Sequence, residues 1–247
     1  MILRTTRLAK YLFVSASCVL LLASLSQAQT RISGCGSNLT SPGRYVLAND
    51  LSCSGTAITI SGVGIELSLG GHRISGANLD VGVQVGLLGG GKILGPGTIA
   101  CSKASAVGIN VFFAQRLVEV MGVTVTGGAI AFSVNDAKVA FRGNTASGSG
   151  IGFNLLLSDE SELSGNTANG NSAYGFSIGG LRNHILQNTA LNNGQNGIRV
   201  PSGSTNNQIT NNTATGNRAF DLFEGNGACA NVWASNTFRT ANQRCIH

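Results

Sequence analysis

The sequence predicts an all-β protein, a single-stranded parallel β-helix of about eight coils whose period is about 22–24 residues along the chain. Three observations point to a parallel β-helix. An Asn-Thr-Ala triplet repeats at a nearly fixed spacing, a short apolar strand recurs in step with it, and the intervals between strands are too short for helices. A period of this size is typical of solenoids, in which each repeat packs on its neighbours.

The triplet repeats through the second half of the chain. It begins at Asn144, Asn166, Asn188 and Asn212, and a divergent copy begins at Asn236. Successive starting positions therefore differ by 22, 22, 24 and 24. Turns of Gly, Asn and Ser separate the short alternating stretches within each repeat, as expected for strands.

An apolar strand recurs with the triplet and can be traced back towards the N-terminus. Three short strands per repeat can bury a common apolar face only by coiling about one axis and stacking. The eight copies span residues 57–60, 82–85, 108–111, 131–134, 152–155, 175–178, 197–200 and 221–224. The predicted inward columns are Phe132, Phe153, Phe176, Ile198 and Leu222, and Val139, Leu163, Ile185 and Ile209.

The composition fits this fold better than its alternatives. Charged residues make up only 11% of the chain, which disfavours long amphipathic helices and charge-driven disorder. Of 24 Asn, 20 lie from position 135 onward. We interpret the triplet asparagines as a structural ladder whose amides hydrogen-bond the coils above and below, in preference to a ligand-binding stripe.

The segment 1–28 is typical of a secretory signal peptide. Arg4, Arg7 and Lys10 precede an apolar run over 11–25, and cleavage is predicted after Ala28. The run is shorter than the roughly 20 residues that span a bilayer, so we expect no membrane association of the mature form. Removing three basic residues lowers the net charge from +6 to +3, which disfavours nucleic acid as a partner. The location is then secreted or periplasmic.

The two ends of a solenoid need caps, because they expose strand edges and core. We assign 29–53 as the N-terminal cap, 54–228 as the β-helix and 229–247 as the C-terminal cap. Cys35 with Cys53, and Cys229 with Cys245, can form local disulfides in an oxidising compartment, although five mature cysteines allow other pairings. Cys101 is left over as a buried thiol. Trp233 and Phe238 are interpreted as apolar plugs over the last coil.

The pattern resembles the right-handed parallel β-helix (pectate-lyase-like) family, particularly its uncharacterised exported bacterial members. Four segments carry the resemblance, namely 42–47, 71–76, the Asn-Thr-Ala coils and the tail over 229–246. The coils are also similar in pattern to the β-helix domain of periplasmic nitrous-oxide-reductase maturation proteins. These resemblances imply the right-handed fold, but this scaffold hosts many activities.

Counting along the repeat predicts a charged outward face. Asp136, Glu160, Arg182 and Asn206 would align in one column, and Lys138, Glu162, His184 and Gln208 in the next. Glu160 would then lie beside Arg182, and Glu162 beside Lys138 and His184. With Arg199, these residues are the candidate contacts for a sugar ligand, while an exposed charge ladder that only favours the coil register is the alternative.

We expect polysaccharide binding, with an acidic polymer as the preferred partner. A lyase or uronan epimerase with Arg182 or His184 as base is one alternative, and a noncatalytic structural or adhesive rod is another. The sequence lacks a paired-carboxylate and histidine set, and its even repeat leaves no room for long loops around a cleft. No cofactor is expected. Asp159, Glu160 and Glu162 could hold calcium, although Asp159 falls in register with Leu181, which we place inward. His72, His184, His247 and Met121 do not have the spacing of a copper site.

Overall fold

The computed structural model describes residues 28–247, all of them strand, turn or irregular structure. The predicted signal peptide therefore lies, apart from Ala28, outside the described residues. Within 28–247, no helix is long and apolar enough to cross a membrane.

Twenty-five short strands follow one another along the described chain. They are β1 Thr30–Ile32, β2 Ser37–Leu39, β3 Gly43–Leu47, β4 Leu51–Ser52, β5 Gly55–Ile60, β6 Ile65–Ser68, β7 Arg73–Gly76, β8 Leu79–Val85, β9 Gly91–Cys101, β10 Val107–Phe112, β11 Val118–Gly127, β12 Ile130–Asn135, β13 Val139–Arg142, β14 Thr145–Ser147, β15 Ile151–Leu156, β16 Glu162–Ser164, β17 Thr167–Asn169, β18 Phe176–Ile178, β19 His184–Leu186, β20 Thr189–Leu191, β21 Ile198–Val200, β22 Gln208–Thr210, β23 Thr213–Thr215, β24 Leu222–Glu224 and β25 Val232–Ala234.

The strands stack into two parallel sheets. The nine-stranded sheet runs β2-β5-β8-β10-β12-β15-β18-β21-β24. The sixteen-stranded sheet has the path β1-β3-β6-β9-β11-β13-β16-β19-β22-β25. Two further runs join this path: β4-β7 pairs with the long strand β9, and β14-β17-β20-β23 pairs with the long strand β11. Each strand pairs with its counterpart about one repeat away, so the molecule is a parallel β-helix, as predicted. It has about nine turns rather than eight, because β2 adds a coil that we had placed in the cap.

The interior is built from stacked columns of apolar side chains. Phe132, Phe153, Phe176, Ile198 and Leu222 lie in one column, as predicted. Neighbouring phenyl rings in this column are nearly parallel, with centroids 4.6 and 4.7 Å apart. Offset stacking of this kind adds to the stabilisation from burial.

The second predicted column contains an error. Phe141, not Val139, lies in register with Leu163, Ile185 and Ile209. The column ends on Trp233, which is almost completely buried. The predicted column set Val139 against Leu163, which differ by 24 in residue number, whereas the register keeps the triplet spacing of 22 and sets Phe141 against Leu163. Before the corner the spacing is 21, as for Phe132 and Phe153, because the corner segment 156–160 is one position longer than its counterpart 135–138.

Both chain ends carry a disulfide and take part in the sheets. Cys35 is bonded to Cys53, and Cys229 to Cys245. Residues 29–53 contain β1 to β4, which already pair with later coils, and 229–247 contains β25. Phe238 packs against the core from a partly buried position. Cys101 is buried, and burial raises the pKa of its thiol to about 11.

Three ladders of buried polar side chains run along the coils. The first contains the five triplet asparagines, and the side-chain amide of each of the first four donates to the Oδ1 of the next at 3.0–3.1 Å. The second contains Ser149, Asn171, Asn193, Asn217 and Asp221, and the third contains Ser161, Asn183, Asn207, Asn231 and Glu224. The structural interpretation of the triplet asparagines is therefore confirmed.

Candidate functional site

In each coil, the chain leaves the nine-stranded sheet, turns through a corner and enters the sixteen-stranded sheet. The charged face lies just after this corner. It comprises Lys138, Arg142, Glu160, Glu162, Arg182 and His184, which belong to β13, β16 and β19 or lie one or two positions before them. The triplets and ladders hold these strands in register, so the side chains project from coils stacked about 4.8 Å apart.

Glu160 occupies the centre of the charged face. Its carboxylate accepts hydrogen bonds from Lys138 Nζ at 3.2 Å and from Arg182 Nε at 3.3 Å. These two hydrogen bonds, led by the one from Lys138, lower the pKa of Glu160. All three side chains are about half exposed, so the pairs are screened by water and individually weak.

The predicted columns were wrong for Asp136 and Lys138. Ala140, not Lys138, pairs with Glu162 in the register, and this places Lys138 next to Glu160. Asp136 instead follows Asn135, the register partner of Leu156, and so lies in line with Leu157. The prediction used a difference of 24, whereas counting back from Asn144 and Asn166, which differ by 22, sets Lys138 beside Glu160. The extra residue at the corner affects only the positions before it, so that Asp136 and Leu157 differ by 21. The predicted pairing of Glu160 with Arg182 was correct.

Glu162 pairs with a basic residue that the sequence analysis missed. Arg142 donates to the Glu162 carboxylate from Nε at 3.1 Å and from Nη2 at 3.3 Å, and to Glu119 from Nη1 at 3.2 Å. The hydrogen bonds to Glu162 are the main cause that raises the pKa of Arg142, and the reciprocal contacts lower the pKa of Glu162. Glu119 is also paired with Lys92 at 2.9 Å. The register sets Glu119 and Glu162 at the position of Ala140, and Arg142 lies two positions further along β13, from where its long side chain reaches both carboxylates.

His184 is exposed and lies in register between Glu162 and Gln208. The predicted alignment of His184 with Glu162 is therefore correct. Asp159 is exposed as well. Its Oδ1 accepts a hydrogen bond from the backbone N–H of Leu181 at 2.8 Å, and its Oδ2 lies 3.6 Å from Arg182 Nη2. Leu181 is partly exposed, so its predicted inward position is wrong.

Arg199 does not belong to the charged face. It lies in the nine-stranded sheet between Ser177 and Phe223, and its guanidinium stacks over the Tyr174 ring, 4.8 Å from the centroid. The prediction that it lies near Arg182 and His184 was wrong, because the residues intervening in each coil turn the chain through a corner.

Shallow open depressions follow the corner along the rod. One of 410 Å³ is lined by Asp136, Lys138, Asp159, Glu160 and Arg182 among others, and one of 300 Å³ by Arg142, Glu162 and His184 with Lys138 and Glu160. A third, of 590 Å³, is more apolar and is lined by Leu156, Leu157, Leu181 and Pro201 together with Asp159, glycines and serines. This geometry can hold an extended ligand against paired charges, but it does not enclose a reacting bond.

The donor atoms needed for a transition-metal site are not gathered in the described chain. Over residues 28–247, no three His, Cys, Asp or Glu side chains lie together as metal ligands would. Among residues 28–247, four cysteines are in disulfides, the fifth is buried with a raised thiol pKa, and Met121 is the one methionine. Each carboxylate of the run 159–162 already accepts hydrogen bonds from a basic side chain or a backbone N–H.

A solved structure supports the fold. The chain is similar to the A-module of the mannuronan C-5 epimerase AlgE4 of Azotobacter vinelandii, with a TM-score of 0.59 and 13% identity. The likeness covers 85% of this chain but 65%, less than two thirds, of the epimerase module. At this identity, the comparison establishes the right-handed parallel β-helix and nothing about activity. No curated protein matches the sequence.

Residues 98–244 match the family described as "Periplasmic copper-binding protein (NosD)". The residues present do not fit the copper of that description, since copper favours clustered imidazole, thiolate or thioether ligands and the described chain gathers none. The periplasmic part of the description agrees with the two disulfides, which persist in oxidising compartments. Because the match covers more than half of the chain, the chain belongs to the NosD family of periplasmic β-helix proteins.

Proposed function

We propose that this protein, exported to the periplasm or beyond after cleavage following Ala28, binds an extracellular or envelope polysaccharide along its charged face, with an acidic polymer preferred. The observation that carries the proposal is the alternating ladder Lys138–Glu160–Arg182, whose charges are half exposed and weakly paired in an open depression. A sugar carboxylate can compete for the two cations, and hydroxyl groups can donate to the Glu160 carboxylate between them.

The shape of the site supports a polymer over a small molecule. The depressions are shallow and continue from coil to coil along the rod, so that a ligand would be held by repeated contacts. The fold itself is compatible with polysaccharide, since a structurally similar protein is a mannuronan epimerase. The chain contributes hydrogen-bonding groups from Arg142, Glu162 and His184 beside the central ladder.

The test compares binding of acidic and neutral polysaccharides to the purified exported protein and its variants. Arg182→Ala should weaken binding of an acidic polymer about ten- to hundredfold, because it removes one charge-assisted hydrogen bond. Glu160→Gln should strengthen it, since the substitution frees Lys138 and Arg182 from their shared carboxylate. Arg199→Ala, on the other sheet, is the matched control and should change nothing. Binding should not depend on calcium. Equal affinity of all three variants for every glycan would refute the proposal.

A lyase or epimerase is the second candidate, because the epimerase shares the fold. In that case Arg182 or His184 would act as the base, and unsaturated uronate products of a lyase would absorb ultraviolet light. Binding is favoured because both side chains are exposed to water rather than enclosed beside a substrate bond. Product formation that is lost in Arg182→Ala would establish the enzyme instead. Absence of both binding and turnover would leave the structural or adhesive rod.

A further inference from the structure

A notch opens in the corner of the rod, next to Glu160 and Arg182 on the side of the nine-stranded sheet. It is the apolar depression of 590 Å³. Three successive coils form this glycine notch, and each contributes the two residues at the same register positions, namely Leu156–Leu157, Gly179–Gly180 and Pro201–Ser202. The outer two coils therefore supply the walls, and the middle coil, which has no side chains at these positions, leaves the space between them.

The two glycines make the notch a fixed feature of the backbone. A Cβ atom on Gly179 would clash with the backbone oxygen of Leu155, and one on Gly180 with the backbone of Ser158. Gly180 also has a φ of +104°, which side chains disfavour, and its N–H donates to Ser204 Oγ at 3.2 Å. The floor of the notch is therefore tied to the coils on both sides and cannot be filled by a side chain of its own.

One wall of the glycine notch is apolar yet faces water. The Leu156 and Leu157 side chains are 52% and 67% exposed. Exposed apolar surface around a concavity of this volume is typical of a ligand-binding site.

Charge distinguishes the glycine notch from the adjacent ladder. Among the described residues that line the notch, Asp159 is the one charged side chain. Its Oδ1 accepts a hydrogen bond from the N–H of Leu181, and its Oδ2 lies 3.6 Å from Arg182 Nη2. An anionic sugar group would be repelled by Asp159 and attracted to Arg182 and Lys138. The notch therefore suits a neutral, apolar part of the ligand.

The distance to the ladder limits which part of a polymer can enter the notch. Arg182 follows Gly180 by two positions in the same coil, so that their backbones are at most about 7 Å apart. A sugar carboxylate at Arg182 and an apolar group in the notch must then belong to the same sugar or to adjacent sugars. The apolar group is thus a substituent of the polymer chain itself.

Polar residues bound the glycine notch along the rod axis. The position of Leu157 is occupied by Asp136 in the preceding coil, and the position of Ser202 by Asn226 in the following coil. The apolar stretch therefore extends over roughly 10 Å, the distance across three stacked coils. A short acyl group fits this length, whereas a long lipid chain would have to cross Asp136 or Asn226.

We propose that the glycine notch is a specificity subsite for short ester acyl groups, such as O-acetyl, carried by the acidic polysaccharide. The inference rests on the proposed function, because the ladder holds the carboxylates of the same polymer. The acyl methyl group packs against Leu156 and Leu157. Ser202, which lines the notch, carries a hydroxyl that can donate to the ester carbonyl.

Binding of the same polymer with and without esters tests the inference. The probes are mannuronan and polygalacturonate, each chemically O-acetylated, and the same preparations after alkaline removal of the esters. The wild type should bind the acetylated form about four- to tenfold more tightly, as expected for burial of one or two methyl-sized groups. Equal affinity for the two forms, or weaker binding of the acetylated form, would overturn the proposal.

A variant of the leucine wall locates the effect. Leu157→Asn should lower the affinity for the acetylated form to that for the ester-free form. Asparagine tolerates the φ of +53° at this position, so the variant should keep the wild-type circular dichroism spectrum. Phe113→Asn is the matched control, since Phe113 is 46% exposed, has a φ of +51° and lies two coils away in the same column. It should keep the preference for esters. Loss of the preference in both variants, or in neither, would reject the notch as its source.

The outcomes separate this inference from the polysaccharide proposal. Ester-free polymer that binds through Arg182, with no gain from acetylation, would reject the subsite and leave the proposed function standing. Absence of binding to all four probes would overturn both. Binding of the wild type to phosphatidylglycerol vesicles that is lost in Leu157→Asn would assign the notch to a lipid chain and overturn the ester assignment.

Discussion

Asn188 shows how a polar side chain can be buried without loss of stability. It is only 1% exposed, yet its amide donates to Leu163 O at 2.8 Å and to Asn212 Oδ1 at 3.1 Å, while its Oδ1 accepts from the backbone and side chain of Asn166. Asn183 is buried in the third ladder, but its Nδ2 has no hydrogen-bond partner among residues 28–247. Two buried asparagines in neighbouring ladders therefore differ, because the side-chain amide nitrogen of Asn188 is hydrogen-bonded and that of Asn183 is not.

Replacing these two asparagines by alanine should have unequal effects. Asn188→Ala leaves several buried groups without partners and should lower the free energy of unfolding by about 2–4 kcal/mol. Asn183→Ala loses the bond that its Oδ1 accepts from Ser161 N but no side-chain donor bond, so it should cost about 1–2 kcal/mol. Urea unfolding of both variants gives the comparison. Equal losses would contradict this account of the ladders.

Each ladder is a directional element. Every asparagine side chain that bonds along a ladder donates towards the C-terminal coil, so the last amide needs an acceptor. Two ladders end on buried carboxylates. Asp221 accepts from Asn217, and Glu224 accepts from Asn231 and from Trp233 Nε1 at 3.0 Å. The acids thereby terminate the ladders at the end of the rod, where no further coil can supply an amide oxygen.

Asp221 makes the C-terminal coils sensitive to acid. Burial favours its neutral form, but hydrogen bonds from the Asn217 side chain and the backbone N–H groups of Arg239, Asn217 and Thr240 outweigh burial and lower its pKa. Because the pKa is lower in the folded state than in the unfolded chain, where it is about 3.9, the stabilisation is complete above that pH and is lost as pH falls through the folded value.

Asp221→Asn tests this element. The variant should lose about 1–3 kcal/mol at pH 7, since an amide nitrogen would face the donors of Arg239 and Thr240. Its stability should also fall less than that of the wild type between pH 5 and pH 2 (the range expected for a depressed carboxyl pKa). A wild-type slope in the Asp221 variant would exclude this carboxylate as the source.

At the scale of the whole molecule, each coil contacts chiefly its neighbours, so stability is distributed along the rod. The two disulfides close loops with sequence separations of 18 and 16, one at each end. In the chain-entropy model, loops of this size contribute about 3 kcal/mol each.

Removing a disulfide should therefore act locally. In a Cys229→Ser and Cys245→Ser variant, amide hydrogen exchange should accelerate in the C-terminal coils, while the central coils around Phe153 keep their protection. The corresponding change at Cys35 and Cys53 should accelerate exchange at the other end. Uniform acceleration along the chain would show instead that the rod unfolds as one cooperative unit.

The sequence by itself determined the repeat, the parallel β-helix, the phenylalanine column and the asparagine ladder, because these follow from residues that recur once per coil. It also identified Cys35, Cys53, Cys229 and Cys245 at the two ends. The triplet spacing of 22 also sets Lys138 beside Glu160, although we had aligned Lys138 with Glu162. Only the tertiary structure decided where the extra residue among 156–160 lies within the coil, and this sets Asp136 in line with Phe113 and Leu157. The turn of each coil through the corner separated Arg199 from the charged face. Distances between coils are properties of the stacked chain, and a count along a single strand of sequence does not contain them.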